Sequence, residues 1–223
     1  MEYQPIQNRI RSNRIPIARS GYPFVLIAAL VTGGFALIGF GILAILGLMT
    51  TLFIVYFFRD PDRKDPVESE VIVAPADGRV VSIEAAAKGP FSAEPCKKIG
   101  IFMSLLDVHV NRMPFEGRIA EIRYNTGSFM AADRSQASGL NERNAILVET
   151  RGGRWISVVQ VAGLIARRIV CRIRENEALA RGERFGLIRF GSRVDLYLPE
   201  STPLRVHVGD RVRGGISVIG YLK

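Results

Sequence analysis

The hydrophobic positions of this chain are concentrated in one long segment near its N-terminus. From Ser20 to Phe58 the sequence contains no Asp, Glu, Lys or Arg, whereas charged residues recur through the rest of the chain. One helix needs roughly 20 apolar residues to cross a bilayer, so this segment is long enough for two short passes. Glycines on both sides of Phe40, near the middle, predict a tight reversal. We therefore predict a hydrophobic helical membrane anchor over residues 20–58.

Basic residues flank this segment on both sides. They are Arg9, Arg11, Arg14 and Arg19 in the basic N-terminal segment 1–19, and Arg59, Arg63 and Lys64 after it. Because positive loops stay on the cytoplasmic side, the flanks favour a hairpin with both ends in the cytoplasm. Helices lying along the inner leaflet are the alternative. Both arrangements place the following domain at the cytoplasmic face of the cell membrane.

After Phe58 the hydrophobic pattern changes to short segments rich in Val and Ile, separated by Gly, Pro, Asp and Asn. The clearest alternation runs from Arg118 to Tyr124, as in a half-buried strand. The stretch from Ser128 to Arg143 is the least strand-like and predicts a short helix or an active-site loop. The fold class predicted for residues 59–223 is mostly β (α+β), a compact antiparallel domain. Its predicted strands are VIVAP, RVVSIEA, KKIGIFMS, GRIAEIRY, AILVET, RWISVVQVAGLI, RIVCRI, RVDLYLP and GGISVIGYL, with PLRVHVGDRV alternating like a surface strand.

The net charge of +9 is suited to an anionic partner, either nucleic acid or anionic lipid. The long apolar segment favours lipid, so we expect no nucleic-acid partner. The two cysteines, Cys96 and Cys171, are far apart and do not have the spacing of metal ligands. We therefore expect buried, reduced thiols in a cytosol-facing domain and no metal site.

Three residues are candidates for chemistry, although each also has a structural interpretation. His109 lies in the strand-like MSLLDVHVNRMP, while the other histidine, His207, lies in a stretch that predicts a structural or solvated role. Asp77 precedes a glycine in APADGRV, where Asp-Gly is typical of a turn. Ser192 follows a glycine in RFGSRVDLYLP, which also predicts a turn and lacks the G-x-S-x-G pattern of a hydrolase.

Taken together, however, these segments resemble one family. They are GYPF after a basic N-terminus, YFFRDPDR, APADGRV, MSLLDVHVNRMP, NERN, AILVET, QVAGLIARRI and RGERFGLIRFGSRVDLYLP. Their order and spacing are similar to those of the short, membrane-anchored bacterial phosphatidylserine decarboxylases over almost the whole chain. The resemblance implies a proenzyme that cuts itself between Gly191 and Ser192.

In that family Ser192 would become a pyruvoyl cofactor at the start of an α chain (192–223), and residues 1–191 would stay bound to it as the β chain. The implied reaction converts phosphatidylserine to phosphatidylethanolamine and CO₂, with a Schiff base between the pyruvoyl ketone and the substrate amine. Phosphatidylserine and anionic membrane lipid are thus the implied partners, and a homo-oligomer is left open. The lysines, Lys64, Lys88, Lys97, Lys98 and Lys223, lie in polar or terminal contexts, which does not favour a pyridoxal enzyme.

The residues are consistent with that chemistry. A serine hydroxyl needs a base, and His109 oriented by Asp77 is the natural pair. A protonated His109 is also the best general acid for the decarboxylation. Other branches of the family carry a second histidine three residues later, where this chain has Arg112. Both roles therefore fall to His109 or to another group, and Asn111 and Arg112 either bind the lipid phosphate or carboxylate or simply end a strand.

Two rival functions remain at this level. The chain is either a membrane-tethered β-barrel binding module, in which the Gly-Ser pair is only a turn, or a membrane-bound serine peptidase. A peptidase would keep an ordinary serine and cleave other proteins, whereas the decarboxylase would lose its serine to the cofactor.

Overall fold

The structure, a computed structural model, describes residues 15–64, 66, 68, 70–132, 137–164, 168–189 and 191–222. These residues divide into a helical unit that ends at Asp62 and a β-rich unit that begins at Arg63. The prediction of a mostly β, antiparallel fold with an apolar helical segment near the N-terminus is confirmed.

The helical unit is a hairpin of two apolar helices, α1 (Tyr22–Leu37) and α2 (Gly41–Phe57). The reversal lies where the glycines predict it, since Gly39 has a φ of +80° between the two helices. The backbone N–H of Ala18 donates to the carbonyl of Phe58 at 2.7 Å, which joins the two ends of the hairpin. A short 3-10 turn, Arg19–Gly21, precedes α1 and extends it to the helical stretch Arg19–Leu37. Among the described residues this stretch is long and apolar enough to cross a membrane, and Gly41–Phe57 is shorter. A crossing hairpin and an in-plane anchor both stay predictions.

The strands of the β-rich unit form three antiparallel sheets. In chain order the elements are β1 (Val71–Val73), β2 (Gly78–Ala86), β3 (Cys96–Met103), β4 (Val110–Arg112), β5 (Gly117–Asn125), the short helix α3 (Ala137–Leu140), β6 (Arg143–Thr150), β7 (Trp155–Val161), β8 (Ile169–Cys171), β9 (Ala178–Leu179), β10 (Arg184–Ile188), β11 (Ser192–Pro199), β12 (Arg211–Val212) and β13 (Val218–Tyr221). The order in the large sheet is β12-β2-β3-β11-β7-β6-β5-β9, while the smaller sheets are β4-β10-β8 and β1-β13.

One apolar core joins side chains from all three sheets. Ile72 of β1, Phe185 of β10 and Val194 of β11 are completely buried in it. Because successive side chains of a strand point to opposite faces, Val194, Leu196 and Leu198 face this core. The intervening residues of β11 lie on the other face of the large sheet.

That other face holds a buried charge network beside β11. The guanidinium of Arg193 is 1% exposed and donates to the carboxylate of Asp195 and, at 2.7 Å, to the hydroxyl of Ser82 on β2. The ammonium of Lys98 lies 3.7 Å from the same carboxylate. Since an unpaired buried charge is costly, the network fixes the start of β11 against β2 and β3.

Two details differ from the sequence prediction. The segment PLRVHVGDRV is not one surface strand: Leu204 makes an isolated bridge, β12 covers only Arg211–Val212, and the imidazole between them on His207 is 89% exposed. Turn geometry set by Asp210, which accepts from the backbone N–H of His207, interrupts the alternation. Both cysteines are free thiols, as expected, but they are half-buried rather than buried.

Candidate active site

Ser192 is the first residue of β11 and lies at the end of β3, where it pairs with Met103. Its side chain is on the core face of the sheet and is completely buried. Its hydroxyl makes no hydrogen bond to any residue that the structure describes. A buried hydroxyl without such a bond loses its solvation, so it is retained here against a cost in stability. Ser192 is therefore marked out from an ordinary turn serine.

The residue before it, Gly191, has a φ of +60°. This left-handed conformation is accessible to glycine at little cost and is strained for most other residues. It turns the chain abruptly from the segment after β10 into β11. The peptide bond between Gly191 and Ser192 thus lies at a bend rather than inside a regular strand.

His109 lies directly before β4 and is completely buried. Its Nδ1 is 2.9 Å from the carbonyl oxygen of Asp107. Because a carbonyl oxygen can only accept, Nδ1 carries the proton in the neutral ring and the lone pair lies on Nε2. The backbone carbonyl of His109 accepts from the N–H of Ile188, at 3.4 Å, which links this residue to the strand just before the Gly-Ser pair.

Asp77 lies between β1 and β2, and its carboxylate is held on both oxygens. Arg63 forms a bidentate ion pair with it, and the backbone N–H of Gly214 donates to Oδ1 at 2.8 Å. The side chains of Arg63 and Asp77 are 8% and 12% exposed. Bidentate pairing fixes the plane of the carboxylate as well as its charge. Asp77 therefore holds a buried ion pair in addition to forming the turn that an Asp-Gly pair predicts.

Strand register brings Asp77 and Ser192 to the same end of the sheet. Arg79, Phe102 and Arg193 are aligned across β2, β3 and β11. On the same side of this row, Ser192 comes one residue before Arg193 and Asp77 two residues before Arg79. Neighbouring strands are about 4.8 Å apart, which separates β2 from β11 by about 10 Å. His109 reaches the same region through the pairing of β4 with β10. Direct orientation of His109 by Asp77 stays a prediction.

A row of buried amides beside the site escapes sequence reasoning. Gln160 of β7 donates through Nε2 to Oδ1 of Asn111 at 2.8 Å, and Asn144 of β6 donates to Oε1 of Gln160 at 3.1 Å. Asn111 in turn contacts the sulfur of Met103, the strand partner of Ser192. Asn111, Asn144 and Gln160 lie in three separate segments of the family resemblance, MSLLDVHVNRMP, NERN and QVAGLIARRI. That sequence signal says nothing about their pairing.

The two residues after Val110 have partners inside the domain. Asn111 is completely buried, and Arg112 is 3% exposed and donates to the carbonyl of Gly182 at 3.1 Å. These contacts favour the interpretation that Asn111 and Arg112 stabilise a strand end over the interpretation that they bind substrate.

Positive charge gathers near the Gly-Ser pair. Burial lowers the pKa of the Arg189 guanidinium, and the nearby charge of Arg168 lowers that pKa further. Two like charges held close together attract an anion.

A cavity of about 980 Å³ lies on the opposite face of the large sheet, lined by Phe91, Trp155, Ser157 and Tyr197 among others. None of the three candidate residues lines it. Volume alone therefore does not locate the chemistry, and Ser192 with its surroundings is the stronger candidate.

Comparisons with known proteins identify the family of the chain. A family model described as phosphatidylserine decarboxylase matches residues 50–220. A protein named phosphatidylserine decarboxylase proenzyme from Syntrophus aciditrophicus is 46% identical over 208 residues, which cover 92% of this chain and 96% of the relative. The protein of the same name from Syntrophotalea carbinolica is 46% identical over 214 residues, which cover 96% of this chain and 100% of the relative. With these matches spanning the helices, the Asp77 turn and the Gly-Ser pair, the chain belongs to the phosphatidylserine decarboxylase family.

Proposed function

We propose that this chain is a proenzyme that cuts itself between Gly191 and Ser192 and then decarboxylates phosphatidylserine to phosphatidylethanolamine. The observation that carries the proposal is the completely buried Ser192 hydroxyl, without a hydrogen bond to the described residues, directly after a left-handed glycine. The relatives are named proenzymes, which supports a precursor that is processed.

The cut begins when Oγ of Ser192 attacks the carbonyl carbon of Gly191. The C–N bond breaks, an ester to Oγ forms, and the Ser192 nitrogen leaves as an amine. Removal of the Ser192 Cα proton then expels the Gly191 carboxylate and leaves a dehydroalanine. Uptake of one water and release of one ammonia convert this group to the pyruvoyl ketone, so no outside oxidant is needed.

His109 is the base that we assign to the first step. The lone pair on Nε2 accepts the Oγ proton, while Nδ1 keeps its own proton and donates it in a hydrogen bond to the Asp107 carbonyl. The ion pair of Asp77 with Arg63 stabilises the turn that precedes β2, beside the end of β3. We propose that this carboxylate orients the charged form of His109 by its negative charge and stabilises it, while the Asp107 carbonyl accepts the Nδ1 hydrogen bond that the aspartate accepts in serine-based triads.

The surroundings of Ser192 fit a pyruvoyl group in place of the serine. The loss of the hydroxyl removes a buried polar atom that the described residues leave unsatisfied, and the methyl group that takes the place of the serine side chain needs no hydrogen bond. When present, the pyruvoyl carbonyl supplies an electron sink for decarboxylation of an amine-bearing substrate. His109 would deliver the proton that replaces the lost carboxylate.

The apolar hairpin and the basic charge favour a membrane-bound enzyme that takes its substrate from the lipid surface. The helix Arg19–Leu37 is suited to anchoring by length and composition, and the net charge of +9 favours anionic headgroups. We propose that the β-rich unit works at the cytoplasmic face of the inner membrane. The cut chain would consist of a β chain (1–191) and an α chain (192–223) that remain one folded unit.

Intact-mass measurement of the purified full-length protein tests this function. We expect two masses, one for residues 1–191 and one for residues 192–223, the second lighter by one ammonia than a fragment that begins with serine. The protein should also release CO₂ from phosphatidylserine in detergent micelles. A chain that stays whole, or a C-terminal fragment with an unmodified serine, contradicts the proposal.

Removing the charge of Asp77 should slow the cut and destabilise the fold. Asp77→Asn leaves the buried guanidinium of Arg63 without its carboxylate, which costs about 3 kcal/mol of stability. We also expect the cut to be about 100-fold slower, because His109 loses its orienting charge. Band intensities on a denaturing gel over time give the rate, and thermal melting gives the stability.

The double variant Arg63→Gln/Asp77→Asn separates these two effects. It removes both charges, so we expect most of the stability to return while the cut stays slow. Recovery of the cut together with stability would assign Asp77 a structural role only.

A further inference from the structure

We propose that Gly163 is a positioning residue for self-cleavage, which holds the Gly191 carbonyl in place for attack by Ser192. This inference rests on the proposed function and extends it to a residue outside the Ser192, His109 and Asp77 set. It is carried by a backbone contact between the loop after β7 and the scissile peptide bond.

Gly163 lies against the carbonyl group that the cut requires. A Cβ built on Gly163 would lie 1.7 Å from the carbonyl oxygen of Gly191 and 2.9 Å from its carbonyl carbon. A carbon atom that is not bonded to this oxygen cannot lie so close to it, so any side chain at position 163 would displace the scissile carbonyl. Glycine carries a hydrogen atom where other residues carry Cβ, so the Gly191 oxygen can lie in a Cα–H···O contact with Gly163. A carbon–oxygen distance of about 3.3–3.6 Å is typical of such contacts.

The segment that carries Gly163 is itself fixed on both sides of the Ala162 peptide. The backbone N–H of Ala162 donates to the carbonyl of Glu142 at 2.9 Å. The side chain of Asn141 donates to the carbonyl of Ala162 at 2.8 Å. Asn141 is completely buried and also exchanges two hydrogen bonds with the backbone of Met130.

These contacts form a rigid support on one side of the Gly191 carbonyl. On the other side, Gly191 is bent by its left-handed φ, Ser192 is held in register by β3, and the next residue, Arg193, is paired with β7. Attack on a carbonyl needs the hydroxyl above the carbonyl plane, and a misplacement of about 1 Å costs roughly 100-fold in rate. Gly163 acts through the orientation of this plane and donates no proton itself.

The test compares the rate of self-cleavage in Gly163→Ala with that in the parent chain. We expect the cut to be slower by about 100-fold or more, since the methyl group must push the Gly191 carbonyl away. Gly152→Ala is the matched control, because a Cβ at Gly152 meets nothing within 4 Å. That control should cut at the parent rate.

Hydroxylamine identifies the step that is affected, since it cleaves esters but leaves ordinary peptide bonds intact. If Gly163 positions the carbonyl for attack, no ester forms in Gly163→Ala and hydroxylamine leaves the chain whole. A chain that hydroxylamine cuts at this position has already formed the ester, which would overturn the assignment. A lower stability of Gly163→Ala would not by itself make the folded variant resistant to cleavage by hydroxylamine.

Folding is checked in uncut chains, by thermal melting of Gly163→Ala/Ser192→Ala against Ser192→Ala. If the double variant does not fold, Asn141→Ser is the variant that tests the inference. It weakens the hydrogen bonding that holds the Ala162 carbonyl and leaves Gly163 unchanged. We expect that variant to cut about 10-fold more slowly than the parent. A folded Gly163→Ala, or failing that Asn141→Ser, that cuts at the parent rate overturns the inference. A parent chain that never cuts overturns the proposed function as well.

Discussion

Replacing Ser192 by alanine is expected to leave a single uncut chain with no decarboxylase activity. The variant lacks the only hydroxyl that can attack the Gly191 carbonyl from the next residue, and it has no atom from which a ketone could form. The methyl group fits the site, because the hydroxyl has no hydrogen bond to the described residues and its removal leaves none of them unsatisfied. We therefore expect melting at or above the temperature of the uncut parent.

A denaturing gel, intact mass and CO₂ release from phosphatidylserine measure this outcome. Ser157→Ala is a suitable control, since Ser157 is a buried serine on the other face of the same sheet and should cut and react normally. Ser192→Cys retains a nucleophile and should still show a measurable cut. Decarboxylation by the uncut Ser192→Ala chain would contradict the pyruvoyl mechanism.

His109→Ala is expected to abolish the cut, with a loss of about 100-fold to 10,000-fold in rate. Without the imidazole the buried Ser192 hydroxyl has no base to take its proton. The variant should therefore accumulate as a whole chain in which added imidazole, entering the vacated volume, restores part of the cut. Gel densitometry against imidazole concentration measures the rescue.

The same variant answers whether one histidine serves two steps. Protein cut with imidazole is freed of it by dialysis and assayed for CO₂ release. If His109 also protonates the product, this cut protein should be inactive until imidazole is returned. Full activity without imidazole would assign the proton to another group, and an unassisted cut would remove His109 from both roles.

The element types of this fold follow from patterns that a sequence makes visible. The charge-free stretch and its central glycines predict the helical hairpin, and the alternation of Val and Ile predicts the long strands such as β5 and β11. Short strands are harder, because β4 and β12 span only two or three residues and are defined by their partners. The hydrogen bond from His207 to Asp210 shows how one side chain ends an alternating pattern.

The candidate site was predictable only as a set of residues. Family resemblance indicates Ser192, His109 and Asp77, whereas the partners of these residues depend on long-range pairing. The sequence pattern predicts Arg63 to be a basic residue that flanks the membrane segment, whereas in the structure it binds Asp77 in the β-rich unit. The contact of Gly163 with Gly191 joins positions that no local pattern connects.

If the chain cuts itself as proposed, the position of β11 between β3 and β7 makes thermal unfolding of the cut protein hard to reverse. Cutting before Ser192 would release the middle strand of the large sheet from its covalent tether while Arg193, the next residue, stays buried against Asp195 and Ser82. Under this proposal we expect folding to precede the cut, because the intact chain closes its loops internally at a modest entropic cost. An enzyme unfolded after the cut would have to recapture its central strand from solution. We therefore expect the protein to refold after thermal unfolding before the cut and to refold poorly after it.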